Sequence, residues 1–251
     1  MTVGWSFIFF VGGLILGSFL NSVIWRLQAG KSLWERHSVC PVCRQALAGR
    51  DLVPLLSFIR LGGRCRYCRD RISWQYPAVE LATAAFSFIF YWHFGLTLRL
   101  ALAIVFLAFL MVIAVYDLRY SLILDVVTIP AMILAWLGNV WLGEGGLRLL
   151  LAGIVGGGFF LLQFVVSRGR WIGGGDIRLG SLMGLMLGWP QILVALMLAY
   201  VVGAFVSLSL VVAGKKQMAS TVPFGAWLSA ATVVTLLWGQ LIIQWYVAML
   251  W

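Results

Sequence analysis

Long apolar runs separated by short polar segments alternate along almost the whole chain. A helix needs about 20 predominantly apolar residues to cross a bilayer. Most of the runs approach that length, although the sixth is too short to span by itself. The eight runs cover residues 3–25, 76–91, 97–116, 123–141, 147–166, 179–187, 191–213 and 224–247. This pattern predicts an all-α polytopic membrane protein with about eight transmembrane helices.

Composition supports the same interpretation. The chain is 63% hydrophobic and 10% charged, with a mean hydropathy of +1.01, whereas soluble domains are about 45–50% apolar. The first run lacks the basic start of a cleaved signal peptide, so we expect it to remain as a span.

Basic residues cluster on one predicted side of the membrane. Ten of the 18 Lys and Arg residues lie between Arg26 and Arg71, in the insert after the first run. If the spans alternate, only Arg99 and Arg148 fall on the opposite side. The others on the basic side are Arg119, Arg168, Arg170, Arg178, Lys215 and Lys216. The positive-inside rule then predicts an external amino terminus and a cytoplasmic insert. Topology and anionic lipid explain the net charge of +10 without nucleic acid.

Four cysteines form two C-x2-C turns in this insert: Cys40, Cys43, Cys65 and Cys68. A reducing compartment disfavours structural disulfides, and paired C-x2-C turns supply four thiolates for tetrahedral zinc. Two independent redox or surface turns are the alternative, and His37 could replace one ligand. Four protein ligands leave no open position on the metal. We therefore expect a structural zinc that staples a loop with too little core to fold alone.

Three carboxylates beside the apolar runs are candidates for chemistry, because burying an ionisable group at a membrane is costly. They are Asp117, Asp125 and Asp176. The predicted topology brings Asp117 and Asp176 to the same membrane face. Two neighbouring carboxyl groups share a proton and can act as base and acid, as in aspartic proteases. The glycines at 173–175 would allow close backbone approach.

Structural explanations for these residues remain open at this point. Asp176, after glycines and before an apolar run, is also typical of a helix N-cap, and Asp125 could cap or anchor the fourth run. Arg119 and Arg178 each follow an Asp by two residues. They could stabilise an ionised carboxylate or anchor lipid headgroups.

Five motifs in order resemble the type IV prepilin peptidases, the leader-peptidase and N-methyltransferase family of GxGD aspartic membrane proteases. The two C-x2-C turns lie among them. The segments are residues 17–27 (GSFLNSVIWRL), 54–57 (PLLS), 72–81 (ISWQYPAVEL), 173–176 (GGGD) and 223–225 (PFG). The chain departs from the usual family pattern at Leu124, Arg178 and Ala226, where Pro, Lys and Pro are common.

The resemblance implies site residues. Asp117 and Asp176 would be the catalytic pair, with Asp125 an accessory acid and Gly173 and Gly175 the glycines of the G-x-G-D box. It further implies a basic leader cut after Gly on prepilins or pseudopilins. The location would be the bacterial cytoplasmic (inner) membrane.

The resemblance also implies methylation of the new amino terminus with S-adenosylmethionine. No glycine-rich nucleotide loop marks a methyl-donor site. Glu80 is a candidate contributor, and its alternative is an ion pair with Arg69 or Arg71.

These patterns divide the chain into a first transmembrane helix (1–25), a zinc-binding region (26–75) and a multi-span peptidase core (76–251). Two other protein classes compete. A transporter would keep ionisable groups near the midplane along a pathway, and a membrane-anchored binding module would use the basic zinc loop.

Overall fold

The structure is a computed structural model that describes residues 3–33, 38–213 and 223–250. His37, Lys215 and Lys216 lie outside the described residues. Within them the chain is helical, with a 3-10 turn at Gly49–Asp51 and two isolated β-bridges in the insert. The helices are α1 (Val3–Gln28), α2 (Leu56–Arg60), α3 (Gln75–Phe94), α4 (Leu98–Tyr120), α5 (Asp125–Trp141), α6 (Gly146–Ser167), α7 (Gly174–Leu187), α8 (Gln191–Val212) and α9 (Phe224–Leu250).

Each of the eight predicted apolar runs forms one of these helices, and α2 is an additional short helix in the insert. Five helices are long and apolar enough to cross a membrane: Gly4–Gln28, Leu98–Tyr120, Gly146–Ser167, Gln191–Ser209 and Phe224–Met249. Helix α7 has only 14 residues, as the short sixth run predicted. The prediction of an all-α multi-pass membrane protein is confirmed.

Several helices extend beyond the apolar runs that predicted them, and two of these extensions include candidate site residues. Helix α4 continues to Tyr120 and α7 begins at Gly174, so Asp117 and Asp176 lie inside helices. Apolar periodicity misses these turns because their residues are polar or glycine. The backbone nevertheless stays helical through both turns.

The chain divides into two compact units, Met1–Val112 and Ile113–Trp251, with the boundary inside α4. In the amino-terminal unit, α1 packs along α3. A side chain at Gly13 would lie 2.6 Å from the Ala84 Cα, and one at Gly17 would lie 2.7 Å from the Glu80 Cα. The two backbones can approach this closely only because both positions are glycine.

In the carboxyl-terminal unit, α7 packs against α5, α6, α8 and α9. Its crossing with α6 is lined by glycine. A Cβ at Gly156 would meet the Gly180 carbonyl oxygen at 2.2 Å, and one at Gly184 would meet the Ala152 oxygen at 2.1 Å. Small residues at such crossings let van der Waals packing hold helices together in lipid, where no hydrophobic force does so.

A polar side chain completes the carboxyl end of α7. The Asn139 Nδ2 donates to the Leu185 oxygen at 2.8 Å and to the Met186 oxygen at 3.2 Å. The last carbonyls of a helix have no partner within it, and in a bilayer no water replaces that partner. Asn139 therefore explains how α7 can end after 14 residues.

Candidate active site and cysteine cluster

Asp117 lies near the carboxyl end of α4 and is 5% exposed. Its Oδ2 accepts the Ala226 N–H at 3.0 Å, and the Gly225 N–H also donates to the carboxylate. Both amides belong to the first turn of α9, whose N–H groups have no partner within the helix. The positive end of that helix dipole favours a negative charge. Helix α9 thus holds the Asp117 carboxylate at its amino terminus.

Asp176 lies in the first turn of α7 and is 9% exposed. Its Oδ2 accepts the Gly173 N–H at 3.2 Å, and Gly173 itself stands at the N-cap position. Asp176 is therefore not the N-cap residue of α7, contrary to that interpretation of the sequence. Asp176 caps the helix from inside the first turn by folding back on Gly173.

Ile123 fills the space between these helix ends. A Cβ at Gly175 would lie 2.8 Å from the Ile123 Cβ, and one at Gly225 would lie 3.0 Å from both the Ile123 Cδ1 and the Asp117 Oδ2. The two glycines let the starts of α7 and α9 close on the same side chain. Asp117 also lies near enough to Asp176 to act on it electrostatically.

The arrangement has a definite chemical capacity. Two shielded carboxylates that act on each other electrostatically are costly to ionise together, so a state with one proton on the pair is available to them. A pair in that state holds both a base and an acid for water-mediated attack on a carbonyl.

Asp125 does not join this pair. It forms an ion pair with Arg178, and the two side chains are 54% and 41% exposed. Leu124 occupies the N-cap position of α5 without a side-chain cap, and Asp125 is the first helical residue. The capping interpretation of Asp125 is therefore wrong. Arg178 neutralises Asp125 in this exposed ion pair.

An aromatic cluster lies beside Asp176. The Tyr200 hydroxyl donates to the Gln163 Oε1 at 2.9 Å, and the Tyr200 ring packs on Phe160 and Phe224. Tyr200 also interacts electrostatically with Asp176. Sequence reasoning missed Tyr200, although a lone Tyr within an apolar run is a signal for a buried polar contact.

The four cysteines converge as the spacing predicted. Their sulfur atoms all lie within 4.8 Å of one another, and the Cys40 and Cys68 sulfurs are 3.9 Å apart. Four thiolates at about 2.3 Å from a tetrahedral zinc lie about 3.8 Å from each other. The cluster is therefore close to the size of a tetrahedral metal site, and a bound ion would draw the sulfur atoms slightly together.

The two cysteine turns have the same backbone geometry. The Arg44 N–H donates to the Cys40 oxygen at 2.9 Å, and the Arg69 N–H donates to the Cys65 oxygen at 3.0 Å. Both arginines have positive φ, 57° and 61°. Each turn thus folds back after its second cysteine and aims amide groups at sulfur.

These amides affect the thiols. Burial opposes ionisation of Cys65, but the Cys68 and Tyr67 N–H groups and the neighbouring thiols lower its pKa to about 7. The Asp70 N–H favours the Cys68 thiolate, yet burial and the other three thiols raise the pKa of Cys68 to about 11. Mutual repulsion of this kind is what a bound cation relieves.

Asp51 ties the segment between the turns together. Its carboxylate accepts the Arg66 Nε at 2.6 Å, the Ala48 N–H at 3.2 Å and the Tyr67 hydroxyl at 3.3 Å. Shielding from solvent opposes its ionisation, but Arg66 and the Ala48 N–H hold the pKa of Asp51 below its ordinary value.

Glu80 has a different partner from the one the sequence predicted. Its Oε2 accepts the Leu55 N–H at 2.8 Å, and the Ser18 hydroxyl also donates to it. Leu55 has φ 57° and ψ −48°, and the Leu56 N–H donates to the Pro54 oxygen at 2.6 Å. This is a strained γ-turn. The predicted ion pair of Glu80 with Arg69 or Arg71 is wrong among the described residues.

A multi-pass helical protein with two carboxylates paired at helix ends has the construction of an aspartic membrane protease. Two family models match this chain. The bacterial peptidase A24 N-terminal domain matches residues 11–94, and the type IV leader peptidase family matches residues 104–208. The chain belongs to the type IV leader peptidase family, a family of proteases.

Several curated relatives carry the name prepilin leader peptidase/N-methyltransferase. One from Bacillus subtilis (strain 168) is 32% identical over 249 residues, which cover 96% of this chain and 98% of the relative. One from Pseudomonas aeruginosa is 30% identical, covering 93% and 90%, and one from Burkholderia pseudomallei (strain 1026b) is 33% identical, covering 90% and 83%. No solved structure matches the chain significantly. The transporter and binding-module interpretations are not favoured by this membership.

Proposed function

We propose that this protein is an aspartic endopeptidase that removes the basic leader of type IV prepilins or pseudopilins. It cuts after Gly at the cytoplasmic membrane face, with Asp117 and Asp176 as the catalytic pair. The observation that carries the proposal is the placement of these two carboxylates at helix ends, each held by backbone N–H groups. The name of the relatives supports the substrate class.

The pair acts through water. The ionised carboxylate removes a proton from water while the water oxygen attacks the carbonyl carbon of Gly. The protonated carboxyl donates its proton toward the carbonyl oxygen. The tetrahedral adduct then expels the amine, which takes up a proton as the C–N bond breaks. The N–H donors of Ala226 and Gly173 keep each carboxylate oriented during these steps.

The new amine is then methylated with S-adenosylmethionine as donor. A bond forms between the amine nitrogen and the methyl carbon, the bond from that carbon to sulfur breaks, and the amine loses a proton. The relatives' name supports this second activity. Glu80 contributes by positioning, since its carboxylate is already committed to Leu55 and Ser18.

Zinc on the four cysteines would staple the insert, and the fit of the sulfur atoms supports this role. The proposed organisation is a first transmembrane helix (1–25), a cytoplasmic zinc region (26–75) and a peptidase core (76–251). The protein resides in the bacterial cytoplasmic (inner) membrane.

Mass spectrometry of a synthetic prepilin tests the proposal. The peptide carries a basic leader and a Gly-Phe junction, and the purified protein is supplied in lipid with and without S-adenosylmethionine. Asp117→Asn and Asp176→Asn should each lower the cleavage rate by about 10²- to 10⁴-fold. Asp125→Asn is the matched control, because its carboxylate pairs with Arg178.

The two activities separate in this assay. Cleavage after Gly with an added methyl group supports both, and cleavage alone supports the peptidase only. Full cleavage by the Asp117→Asn/Asp176→Asn double variant would overturn the catalytic pair.

A further inference from the structure

The insert carries an exposed apolar surface that neither the peptidase site nor the cysteine cluster uses. The side chains of Ile59 and Trp74 are 72% and 76% exposed. We name the α2 surface after its short helix and define it by five exposed side chains: Leu52, Val53, Leu56, Ile59 and Trp74. The Phe58 ring contacts Trp74 at 5.1 Å between centroids and joins α2 to the residue before α3.

Hydrogen bonds fix this surface at a defined height along α1. The Asn21 Nδ2 donates to the Tyr76 oxygen at 3.1 Å, so the start of α3 is level with Asn21. The apolar span of α1 continues to Gln28, which is about 10 Å farther along a helix rising 1.5 Å per residue. Trp74 therefore lies alongside the last turns of a membrane span, not beyond it.

Glu80 fixes the other end of the surface at the same height. Its carboxylate holds the Leu55 N–H directly before α2, and its Cα packs against Gly17 of α1. Side chains on a helix point toward its amino terminus, so the Glu80 carboxylate lies toward the first turn of α3. Helix α2 thus begins beside the final apolar turns of α1, at the depth where a span meets the headgroups.

Exposed cations surround the α2 surface in the sequence. They are Arg50, Arg60, Arg64, Arg69 and Arg71. Asp51 is neutralised by Arg66 and Asp70 offsets one further charge, which leaves residues 50–71 with a net charge of +4. An apolar, Trp-bearing surface that is flanked along the chain by exposed arginines (the basic rim) matches the interface of a bilayer that contains anionic lipid.

We infer that the α2 surface is an interfacial membrane-docking site, with Leu56, Ile59 and Trp74 among the upper acyl chains of anionic phospholipids and the arginines at their headgroups. The bilayer is favoured over the leader of a substrate because a basic leader would meet like charges at this rim. The proposal does not depend on the proposed function.

Photo-crosslinking in the full-length protein tests the site. Ile59 is replaced by p-benzoylphenylalanine, and the protein is placed in vesicles of phosphatidylcholine with or without phosphatidylglycerol. Illumination should give lipid adducts at position 59, with phosphatidylglycerol enriched over its share of the vesicle. The same replacement at Ile8, which is 54% exposed on the α1 span, is the positive control for lipid contact. An unchanged zinc content shows that the labelled insert is folded.

The second part of the experiment removes positive charge from the basic rim. In the labelled protein, Arg60→Gln and Arg64→Gln should each lower the phosphatidylglycerol preference by up to about fivefold. Lipid adducts without that preference would overturn the anionic component. If position 8 forms lipid adducts and position 59 forms none, the docking site is overturned. A synthetic prepilin that displaces lipid from position 59 would show that the surface binds substrate instead.

Discussion

The Ala226 N–H donates to the Asp117 Oδ2 at 3.0 Å, although 109 residues separate the two in sequence. The bond joins the amino terminus of α9 to the carboxyl end of α4. It makes the carboxylate depend on a backbone donor, whose position is set by how α9 begins. Changes at the start of α9 should therefore affect the proposed catalytic pair without replacing either aspartate.

Gly225→Ala is the most direct such change. The added Cβ would lie 3.0 Å from the Asp117 Oδ2 and 3.0 Å from the Ile123 Cδ1. The carboxylate must move to make room, and small misplacements of reacting groups are costly. We expect the initial cleavage rate to fall by about 10- to 100-fold.

Gly158→Ala is the matched control, because nothing lies within 4 Å of a Cβ at that position. Its cleavage rate should match that of the parent protein. Adding Ile123→Val to Gly225→Ala removes one of the two close contacts and should restore part of the rate. An undiminished rate for Gly225→Ala alone would contradict the proposed role of this packing.

Asp125 and Arg178 should behave as a structural pair. Exposed ion pairs contribute about 0–1 kcal/mol, so Asp125→Asn and Arg178→Gln should each lower the cleavage rate by less than about tenfold. The doubly reversed variant Asp125→Arg/Arg178→Asp should cleave faster than either single reversal. If Asp125→Asn is as inactive as Asp176→Asn, Asp125 belongs to the catalytic group.

Asn139→Leu should destabilise the carboxyl-terminal unit, because two carbonyls of α7 lose their donor. Leaving buried acceptors without a partner costs about 1–3 kcal/mol. Denaturant unfolding in bicelles would measure the change. Gln240→Leu is the control, since Gln240 accepts only an exposed bond from Gln191. Equal stability of Asn139→Leu and the parent would show that α7 ends without help from α5.

Glu80→Ala should release the turn before α2. Hydrogen bonds to charged groups contribute about 1.5–3 kcal/mol, and the bond from the Leu55 N–H to Glu80 stabilises the positive φ of Leu55. Limited proteolysis within residues 52–60 should accelerate by about tenfold or more. Glu80→Gln keeps an acceptor oxygen and should show less change.

Arg71→Gln distinguishes this explanation from the ion pair that the sequence predicted. It should leave the proteolysis rate of residues 52–60 unchanged. An acceleration equal to that of Glu80→Ala would restore the ion pair between Glu80 and Arg71.

Chelation should open the insert and spare the carboxylate pair. We expect one zinc per chain, as the cluster of four sulfurs allows, and its removal should expose residues 39–71 to protease. Cleavage of the prepilin should persist within a few-fold, because the contacts of Asp117 and Asp176 lie within Ile113–Trp251. Complete loss of cleavage with the metal would assign zinc a part in that reaction.

The sequence predicts the features that depend on side-chain identity. Apolar runs predict the helices because lipid requires continuous apolar surface. The spacing of the cysteines predicts a cluster that forms within 4.8 Å.

The partners of several site residues are determined by backbone groups and helix packing, which leave no recognisable motif in the sequence. The donors to Asp117 and to Glu80 are amide groups of Ala226 and Leu55, and any residue except Pro carries such a group. Asp125 meets Arg178 because α5 packs on α7. Asn139 did leave a signal, as a polar residue within an apolar run.

The shortness of α7 has a consequence for how the protein responds to bilayer thickness. Its 14 residues extend about 21 Å at 1.5 Å per residue, whereas the hydrocarbon core is about 30 Å thick. Its neighbour α6 has 22 residues and extends about 33 Å. The residues of α7 are buried or half-buried among α5, α6, α8 and α9, so protein contacts, and not lipid, accommodate its short length. Changes in acyl-chain length should therefore act on the longer surrounding helices and leave α7 insulated from the thickness of the bilayer.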